Sequence, residues 1–497
     1  MATVNQLKTM KRRNFLQSAL LTFTGGTLID PVTGWSNTNI RDEIKGKGKK
    51  AKNIIFLVSD GMSAGTLNMT NMLLQRKEGR PSNWIKLYQE QKVTRALMDT
   101  ASASSLVTDS AAASSSWGGG VRVKNGSLNV GPNGEQYQPI LQKFKAAGMA
   151  VGCVTTVPIA HATPAGFCIN NNMRGDMDEI VLQYLPLKFD VMMGGGTDNF
   201  IATTRKDKQD VLSLYLQNNY KVITSRNDLL QLDHSVQNPI MGFFYEGGLP
   251  YSLDNQQDKT LSKRIPTLAE MTKQAITQLG KNKKGFVMQV EAGKVDWAAH
   301  ANDIGALLYD QIAFDDAIKV AIDFAEKDKE TLVIVTTDHG NANPGLFYGD
   351  KANKDFDKIQ HFKHTNEWIL NGINKSFTAQ QVIERIEYAQ GIVIKKEEAA
   401  EIVLRFQTLK EEGVYNPYKL PYKYLGEIQR NYTSVNWGSM QHSADYVELC
   451  MYGPGSELLK PFVKNTDLHY LMLNACGIQF QNDFAFQEEK QSHFKVK

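Results

Sequence analysis

The sequence contains few cysteines, no large excess of charge of either sign and no long apolar segment. Four cysteines among 497 residues are too few for a disulfide-based scaffold, and their spacing matches no zinc motif. We expect either buried thiols or a single structural disulfide. The 56 basic and 52 acidic residues nearly balance, which excludes the basic stripe of a nucleic-acid-binding protein. No segment approaches the roughly 18 apolar residues of a transmembrane helix, so we expect no integral membrane segment.

The first 30 residues differ from the rest of the chain in composition. The pair Arg12-Arg13 is followed by Asn-Phe-Leu and then by a short, mildly apolar stretch at residues 19–26. A basic segment before a short apolar run is typical of a signal peptide, and this arginine pair resembles a twin-arginine export signal. The alternative is a basic tail. We predict a signal at residues 1–30, a linker at 31–52 and a periplasmic or secreted protein.

Continuous apolar runs alternate with helical patterns along most of the remaining chain. Five such runs lie at residues 53–58, 150–154, 189–193, 286–290 and 332–335. Runs of this type are typical of parallel strands that helices cover on both faces. The pattern predicts an α/β fold, a three-layer α/β/α sandwich with a large, mostly parallel central sheet. Residues 379–432 carry charged helical patterns and a Tyr/Pro-rich connection, which indicate a cap-like insertion into a catalytic domain at 53–378 and 433–480.

Acidic and histidine side chains lie at the ends of these predicted strands. In strand order, the candidates are Asp60; His161 and Thr163; Glu291, Asp296 and His300; and Asp338 and His339; His442 precedes a further apolar run. Ligands of open α/β sheets bind beyond the carboxyl ends of the strands, so several of the nine histidines are expected in one crevice. Histidine with carboxylate suits zinc, and oxygen donors alone suit magnesium. The sequence predicts two zinc sites and a third, oxygen-only site.

The tract around Ser110 supplies a candidate nucleophile. Ser110 is followed by Ala111-Ala112-Ala113 and two further serines. Such small residues can begin a helix beside a crowded metal centre, and the N-terminal end of a helix favours a bound phosphate. Without the ligand set, the same tract would be interpreted as a flexible linker.

These segments, in this order, resemble the alkaline phosphatase family from Asn53 to about Gly477. The matching motifs lie at residues 59–62, 107–112, 161–166, 290–293, 338–340 and 442–443. The family usually has a threonine at the end of its serine motif, where this chain has Ser114-Ser115.

The resemblance implies a role for each matching residue. Ser110 would be the nucleophile that becomes phosphorylated, Arg174 would clamp the phosphate, and Asp109 would orient that arginine or the serine backbone. Two zinc ions and one magnesium ion are implied as cofactors. Their ligand sets would be Asp296, His300 and His442 for the first zinc, Asp60, Asp338 and His339 for the second, and Asp60, Thr163 and Glu291 for magnesium.

Two positions that vary within the family carry His161 and Trp297 in this chain. Some members have acidic and lysine side chains there, which interact with the water shell of the magnesium and with the phosphate. A histidine beside the third site favours zinc or cobalt over magnesium, so the identity of the third metal stays open.

The predicted function is hydrolysis of small phosphate monoesters by an exported, metal-dependent enzyme, which in this family is commonly a homodimer. A phosphodiesterase on a similar metal-bearing sheet is the first alternative, although it has less use for an arginine clamp and a third metal. A sulfatase would need an arginine that the motif after Ser110 lacks. A non-catalytic zinc- or phosphate-binding protein is the alternative outside the enzymes.

Overall fold

A computed structural model of the protein describes residues 50–235, 238–409 and 419–479. The predicted signal peptide and nearly all of the predicted linker lie outside the described residues. Among the described residues, none of the helices combines the length and the apolar character needed to cross a membrane.

Fourteen strands occur among the described residues, and ten of them form one sheet. Their bounds are β1 (Asn53–Ser59), β2 (Thr94–Asp99), β3 (Ala150–Pro158), β4 (Val191–Gly195), β5 (Lys221–Ile223), β6 (Ile240–Phe243), β7 (Phe286–Ala292), β8 (Thr331–Thr336), β9 (Gly340–Asn341), β10 (Gly345–Leu346), β11 (Val435–Asn436), β12 (His442–Ser443), β13 (Val447–Tyr452) and β14 (Phe462–Lys464). The order in the large sheet is β14-β2-β13-β8-β1-β7-β3-β4-β6-β5. Two small sheets pair β9 with β12 and β10 with β11.

The large sheet is parallel except at one strand. Strand β13 runs antiparallel to both of its neighbours, β8 and β2, and every other pairing in the sheet is parallel. Strand β1, the first along the chain, lies in the middle, between β7 and β8. The mostly parallel sheet predicted from the apolar runs is confirmed.

Nineteen α-helices connect these strands in the described part of the chain. They are α1 (Ala64–Glu78), α2 (Asn83–Gln89), α3 (Ser110–Gly119), α4 (Ile140–Ala146), α5 (Ala162–Cys168), α6 (Met177–Leu187), α7 (Val211–Gln217), α8 (Arg226–Leu230), α9 (Ser252–Gln257), α10 (Lys259–Arg264), α11 (Leu268–Leu279), α12 (Lys294–His300), α13 (Ile304–Asp328), α14 (Ala352–Asp357), α15 (Asn366–Asn371), α16 (Ala379–Gln390), α17 (Lys396–Gln407), α18 (Tyr422–Thr433) and α19 (Asp467–Ala475).

The helices form two layers, one on each face of the sheet. In β1, Ile55 and Leu57 belong to one apolar cluster and Ile54 and Phe56 to the other, because successive side chains of a strand point to opposite faces. The first cluster includes residues of α11 and α13, and the second includes residues of α4 to α6 and of α19. All four of these β1 side chains are fully buried. The predicted three-layer sandwich is confirmed.

The segment predicted to be a cap-like insertion contains α16, α17 and α18. Apolar side chains of these helices, such as Ile386, Ile402 and Leu425, belong to the same cluster as those of α13. The division of the chain at residues 379 and 432 stays a prediction.

The four cysteines are free thiols in this structure, as one of the two sequence-based alternatives states. Cys153 in β3 and Cys168 at the end of α5 are both buried, and their sulfur atoms lie 3.8 Å apart. Burial raises the pKa of the Cys168 thiol well above its ordinary value, and the contact with Cys153 raises it further.

Candidate metal centre and active site

The carboxyl ends of four adjacent strands bring most of the predicted ligands together. Strands β8, β1, β7 and β3 are neighbours in the sheet and run parallel. Asp60 follows β1, Glu291 lies near the end of β7, Asp338 follows β8, and His161 follows β3. Because parallel strands end at the same edge, residues that are far apart in the sequence meet there.

His442 reaches the same edge from the opposite direction. It precedes β13, and the start of this antiparallel strand lies beside the end of its neighbour β8. The short strand β12 also pairs His442 with Asn341, two residues after His339. The one reversed strand of the sheet therefore brings a histidine from the last sixty residues of the chain to ligands that follow β8.

The first group of ligands consists of Asp296, His300 and His442. Asp296 and His300 lie one turn apart on α12, with Asp296 Oδ2 3.4 Å from His300 Nε2. The second carboxylate oxygen, Oδ1, lies 3.5 Å from His442 Nε2. The Nδ1 atoms of His300 and His442 lie 2.7 and 2.9 Å from the carbonyl oxygens of Met440 and Thr108. Since a carbonyl oxygen only accepts, each Nδ1 donates, and both Nε2 lone pairs face the centre as metal coordination requires.

The second group surrounds His339, which is fully buried. His339 Nε2 lies 3.2 Å from Asp338 Oδ2 and 3.6 Å from Asp60 Oδ1. Asp296 also contributes an oxygen within 4.8 Å of the Asp60 and His339 ligand atoms, so it lies between the first two groups. Gly61 separates Asp60 from the helix that follows, with φ of 68°, and a Cβ there would lie 2.5 Å from Asp296 Oδ1. Only glycine fits this position without displacing a predicted ligand.

The third group contains Asp60, Glu291 and His161, whose ligand atoms lie within 4.8 Å of one another. Thr163 Oγ1 donates to Asp60 Oδ2 at 3.3 Å, which brings the predicted threonine to the same place. His161 Nδ1 is 4.0 Å from Glu291 Oε1. Burial lowers the pKa of His161 to about 3, and the neighbouring Arg174 lowers it further, so this imidazole is neutral.

The chemistry of these buried groups fits bound cations. Three of the predicted ligands, and His161 beside them, each have a buried atom with no hydrogen-bond partner among the described residues; these atoms are Asp60 Oδ1, Glu291 Oε1, Asp338 Oδ2 and His161 Nδ1. Burial raises the pKa of Glu291 to about 7 and that of Asp338 to about 6. Burial, and then the charges of the neighbouring carboxylates, raise the pKa of Asp60 well above its ordinary value. Such crowded carboxylates are stable in the ionised form only beside positive charge.

Asp296 differs from these carboxylates because it faces histidines. Burial alone would raise its pKa, but His300 and His442 outweigh this effect and hold the pKa well below the ordinary value. Asn341 Nδ2 also donates to Asp296 Oδ1 at 2.7 Å. Asp296 is therefore the ionised oxygen donor of the first group.

Ser110 is the first residue of α3, and its hydroxyl faces the second group. Ser110 Oγ lies 3.4 Å from His339 Nε2. Asp109 caps the helix by accepting a hydrogen bond from the Ala112 N–H at 3.0 Å. The small residues of α3 are all buried, and a Cβ on Gly118 would lie 2.0 Å from the Gly166 carbonyl oxygen on α5. The Ala/Ser/Gly-rich tract is thus a tightly packed helix that positions Ser110.

Arg174 and Ser110 line one cavity. Asp109 and His161 hold the guanidinium group of Arg174 from two sides. Its Nη1 donates to Asp109 Oδ2 at 3.0 Å, and its Nη2 lies 3.2 Å from His161 Nε2. Asp109 Oδ2 also accepts from the Gly126 N–H at 3.0 Å. Asp109 therefore contacts both the helix of the serine and the arginine.

The open space between these groups is a cavity of about 490 Å³. Its walls include eight of the thirteen predicted site residues: Asp109, Ser110, His161, Arg174, Asp296, Trp297, His300 and His442. The Trp297 ring lies edge-on to His161, with the ring centres 6.1 Å apart.

Sequence reasoning missed three residues that contact candidate site residues. Thr155 Oγ1 donates to Glu291 Oε2, Asn341 donates to Asp296, and Asn125 accepts from the Asp109 N–H at 3.4 Å. Asn341 immediately follows the Asp338-His339-Gly340 motif, and this position is the only feature of the sequence that indicates a role for it. Thr155 and Asn125 carry no pattern in the sequence that separates them from other polar residues.

This chain is similar to known proteins over most of its length. The alkaline phosphatase family model matches residues 51–478. Alkaline phosphatase 4 of Bacillus subtilis is 31% identical over 424 residues, which cover 84% of this chain and 87% of the relative. Alkaline phosphatase of Escherichia coli is 30% identical and covers 63% of this chain and 74% of the relative. The crystal structure of Thermus thermophilus alkaline phosphatase superposes with a TM-score of 0.81 at 29% identity, covering 91% of this chain and 98% of that one.

The family match spans most of the chain, the fold agrees, and the buried acidic and histidine groups are those of a metal-dependent enzyme. This chain therefore belongs to the alkaline phosphatase family and is a phosphatase of small phosphate esters.

Proposed function

We propose that this phosphatase hydrolyses phosphate monoesters by transferring the phosphoryl group to Ser110 Oγ and then to water. The observation that carries the proposal is the position of Ser110. Its hydroxyl lies 3.4 Å from His339 Nε2 at the start of α3, and the residue lines the same cavity as Arg174, His300 and His442. A candidate nucleophile, a candidate phosphate clamp and the first group of candidate ligands therefore line one cavity, and the second group adjoins Ser110 through His339.

The proposed metals are two zinc ions and a third ion. Asp296, His300 and His442 would hold the first zinc, and Asp60, Asp338 and His339 the second. When bound, these ions supply the positive charge that favours the serine alkoxide and stabilises the attacking and leaving oxygens.

The third ion would be held by Asp60, Thr163 and Glu291. The neutral His161 imidazole has its buried Nδ1 without a partner among the described residues and lies within ligand distance of the same two carboxylates. A nitrogen donor favours zinc or cobalt at this position, whereas water in place of the imidazole favours magnesium.

The chain itself would bind and orient the phosphate. Arg174 presents a planar fork that suits two phosphate oxygens, and its ion pair with Asp109 fixes the direction of that fork. The N-terminal end of α3, a helix of ten residues, adds the partial positive charge of its free N–H groups on the serine side. These groups attract the phosphate without contacting the alcohol part.

The proposed reaction consists of two in-line steps. Ser110 releases its proton to the solvent, and its Oγ forms a bond to phosphorus while the ester P–O bond opposite to it breaks. The alcohol leaves with a proton from the solvent. Water then attacks phosphorus from the side that the alcohol left. The serine–phosphorus bond breaks, Ser110 regains its proton, and inorganic phosphate is released.

Export and assembly are also proposals. The Arg12-Arg13 pattern supports transport through the twin-arginine route to the periplasm or beyond. We propose a homodimer because members of this family are commonly homodimers.

A comparison of a monoester with a diester tests the proposed function. With 4-nitrophenyl phosphate and bis(4-nitrophenyl) phosphate, the leaving group is the same and only the number of ester bonds differs. We expect the monoester to react faster by a large factor, loss of activity on chelation, and recovery with zinc together with magnesium. A faster diester reaction would support a phosphodiesterase, and phosphate binding without turnover in the metal-loaded protein would support a binding protein.

A further inference from the structure

A second cavity, of about 810 Å³, adjoins the active-site cavity. Gln441 lines both. The wall between them is formed by the segment before His442, where the Met440 carbonyl accepts the hydrogen bond from His300. Gln441 therefore lies where the two cavities meet.

The second cavity lies on the side to which the alcohol of the substrate points. In an in-line transfer the leaving oxygen lies opposite to the attacking one. Ser110 contacts His339, so the leaving oxygen faces the group of Asp296, His300 and His442. Gln441 immediately precedes His442 in the sequence and lines the second cavity.

Helix α18 lines this cavity with two basic side chains. Lys423 and Arg430 lie two turns apart, on one face of the helix. Glu427 lies between them and approaches Lys423 to 4.0 Å. The Arg430 side chain is exposed and forms no hydrogen bond or ion pair with any other described residue. Arg430 therefore offers a planar cationic group, with no hydrogen-bonded partner among the described residues, to a ligand.

Trp437 forms an apolar wall of the same cavity. The indole packs against α18 at Gly426, where a Cβ atom would lie 3.7 Å from Trp437 Nε1. Trp437 is half-buried, so one part of the ring remains open to the cavity. Such a surface suits the carbon skeleton between two polar groups of a ligand.

We propose that the second cavity receives the alcohol part of the substrate and that Arg430, assisted by Lys423, binds a further anionic group on it. The preferred substrates are then phosphate monoesters whose alcohol carries a second phosphate or a carboxylate. This specificity rests on the proposed monoester hydrolysis at Ser110.

Matched alkyl phosphates that end in a hydroxyl, a carboxylate or a phosphate provide the test, with several chain lengths in each series. In the metal-loaded wild type at low ionic strength, we expect a higher kcat/KM for the charged esters than for the hydroxyl ester. Arg430→Gln should lower this charged-to-neutral ratio about tenfold, as expected for the loss of one charge-assisted hydrogen bond. Comparing kcat/KM for the carboxylate and phosphate esters shows which second anionic group the enzyme prefers.

Two variants and a salt series complete the design. Arg430→Lys keeps the charge and should retain part of the preference, whereas Lys354→Gln removes an exposed charge outside both cavities and should leave the ratio unchanged. Added salt should reduce the preference, because the group is exposed. An unchanged ratio in Arg430→Gln, or an equal drop in Lys354→Gln, would overturn the inference. Failure of the wild type to hydrolyse even the hydroxyl ester would contradict the proposed function instead.

Discussion

The Nε2 atoms of His300 and His442 lie 3.0 Å apart, and each ring donates its Nδ1 proton to a backbone carbonyl oxygen. Because two lone pairs would repel each other at this distance, either a proton or a metal ion must lie between the two Nε2 atoms. The two carbonyl groups hold both rings with Nε2 directed toward the centre, the orientation that metal binding requires.

Replacing either histidine should remove one zinc ion. In His300→Ala or His442→Ala, we expect metal analysis to give one zinc per chain fewer than in the wild type, together with a large loss of activity. His234→Ala is the matched control, because His234 contacts only Gln274 and Gln278 among the described residues. Unchanged zinc content in both variants would contradict the assignment of the first metal group.

Ser110→Ala should abolish the covalent intermediate but keep the metals. The hydroxyl is the attacking group in the proposed mechanism, whereas the carboxylates and histidines hold the ions. We expect kcat to fall by several orders of magnitude with unchanged metal content. Ser116→Ala, on the same helix, removes only a hydroxyl that donates to the Ala112 carbonyl and serves as the control.

Acid quenching and stereochemistry test the same step directly. Acid quenching during turnover should trap phosphate on the peptide that contains Ser110. A chiral, isotopically labelled ester should react with retention of configuration at phosphorus, because two in-line steps invert it twice. Overall inversion would mean direct attack by water and would remove Ser110 from the role given to it.

The stability of the chelated protein should decrease as the pH rises. Burial raises the pKa of Glu291 from 4.5 to about 7 and that of Asp338 from 3.8 to about 6. A carboxyl group with a raised pKa stabilises the fold while it is protonated, and this contribution is lost as the pH rises through the folded-state value. We expect the melting temperature of the chelated protein to fall between about pH 4 and about pH 7 relative to the metal-loaded protein. A constant difference over this range would contradict the prediction.

His161→Asp should change the preference of the third site toward magnesium. The substitution replaces a nitrogen donor with oxygen beside Asp60 and Glu291, and magnesium prefers oxygen. Magnesium titrations of chelated protein reloaded with zinc should give a lower apparent Kd for the variant. An equal Kd in both proteins would mean that His161 does not determine which metal binds.

Arg12→Lys together with Arg13→Lys should block export. Both substitutions conserve charge, so a general signal peptide would tolerate them, whereas twin-arginine transport depends on the arginines. Fractionation should then find folded, active enzyme retained in the cytoplasm. Normal export of the double variant would indicate the general secretory route.

The fold and the edge that holds the site were predictable because parallel strands have a simple signature. Continuous apolar runs indicated strands covered on both faces, and the acidic residues after three of the five runs marked the common edge. The position of β1 between β7 and β8 was not predictable, since strand order depends on pairing between distant segments. Thr155 was missed for a related reason: a polar side chain inside a buried strand becomes informative only when its partner, Glu291, is known to lie opposite it.

The central position of β1 determines when this strand can pair during synthesis of the chain. This strand is synthesised early, but its two neighbours follow only after residues 286 and 331. At ordinary translation rates the delay is on the order of tens of seconds, during which its apolar side chains have no partner strand. The metal centre is completed later still, because His442 and β13 must also be made. A nascent chain of this protein therefore has no complete active site until it is almost finished.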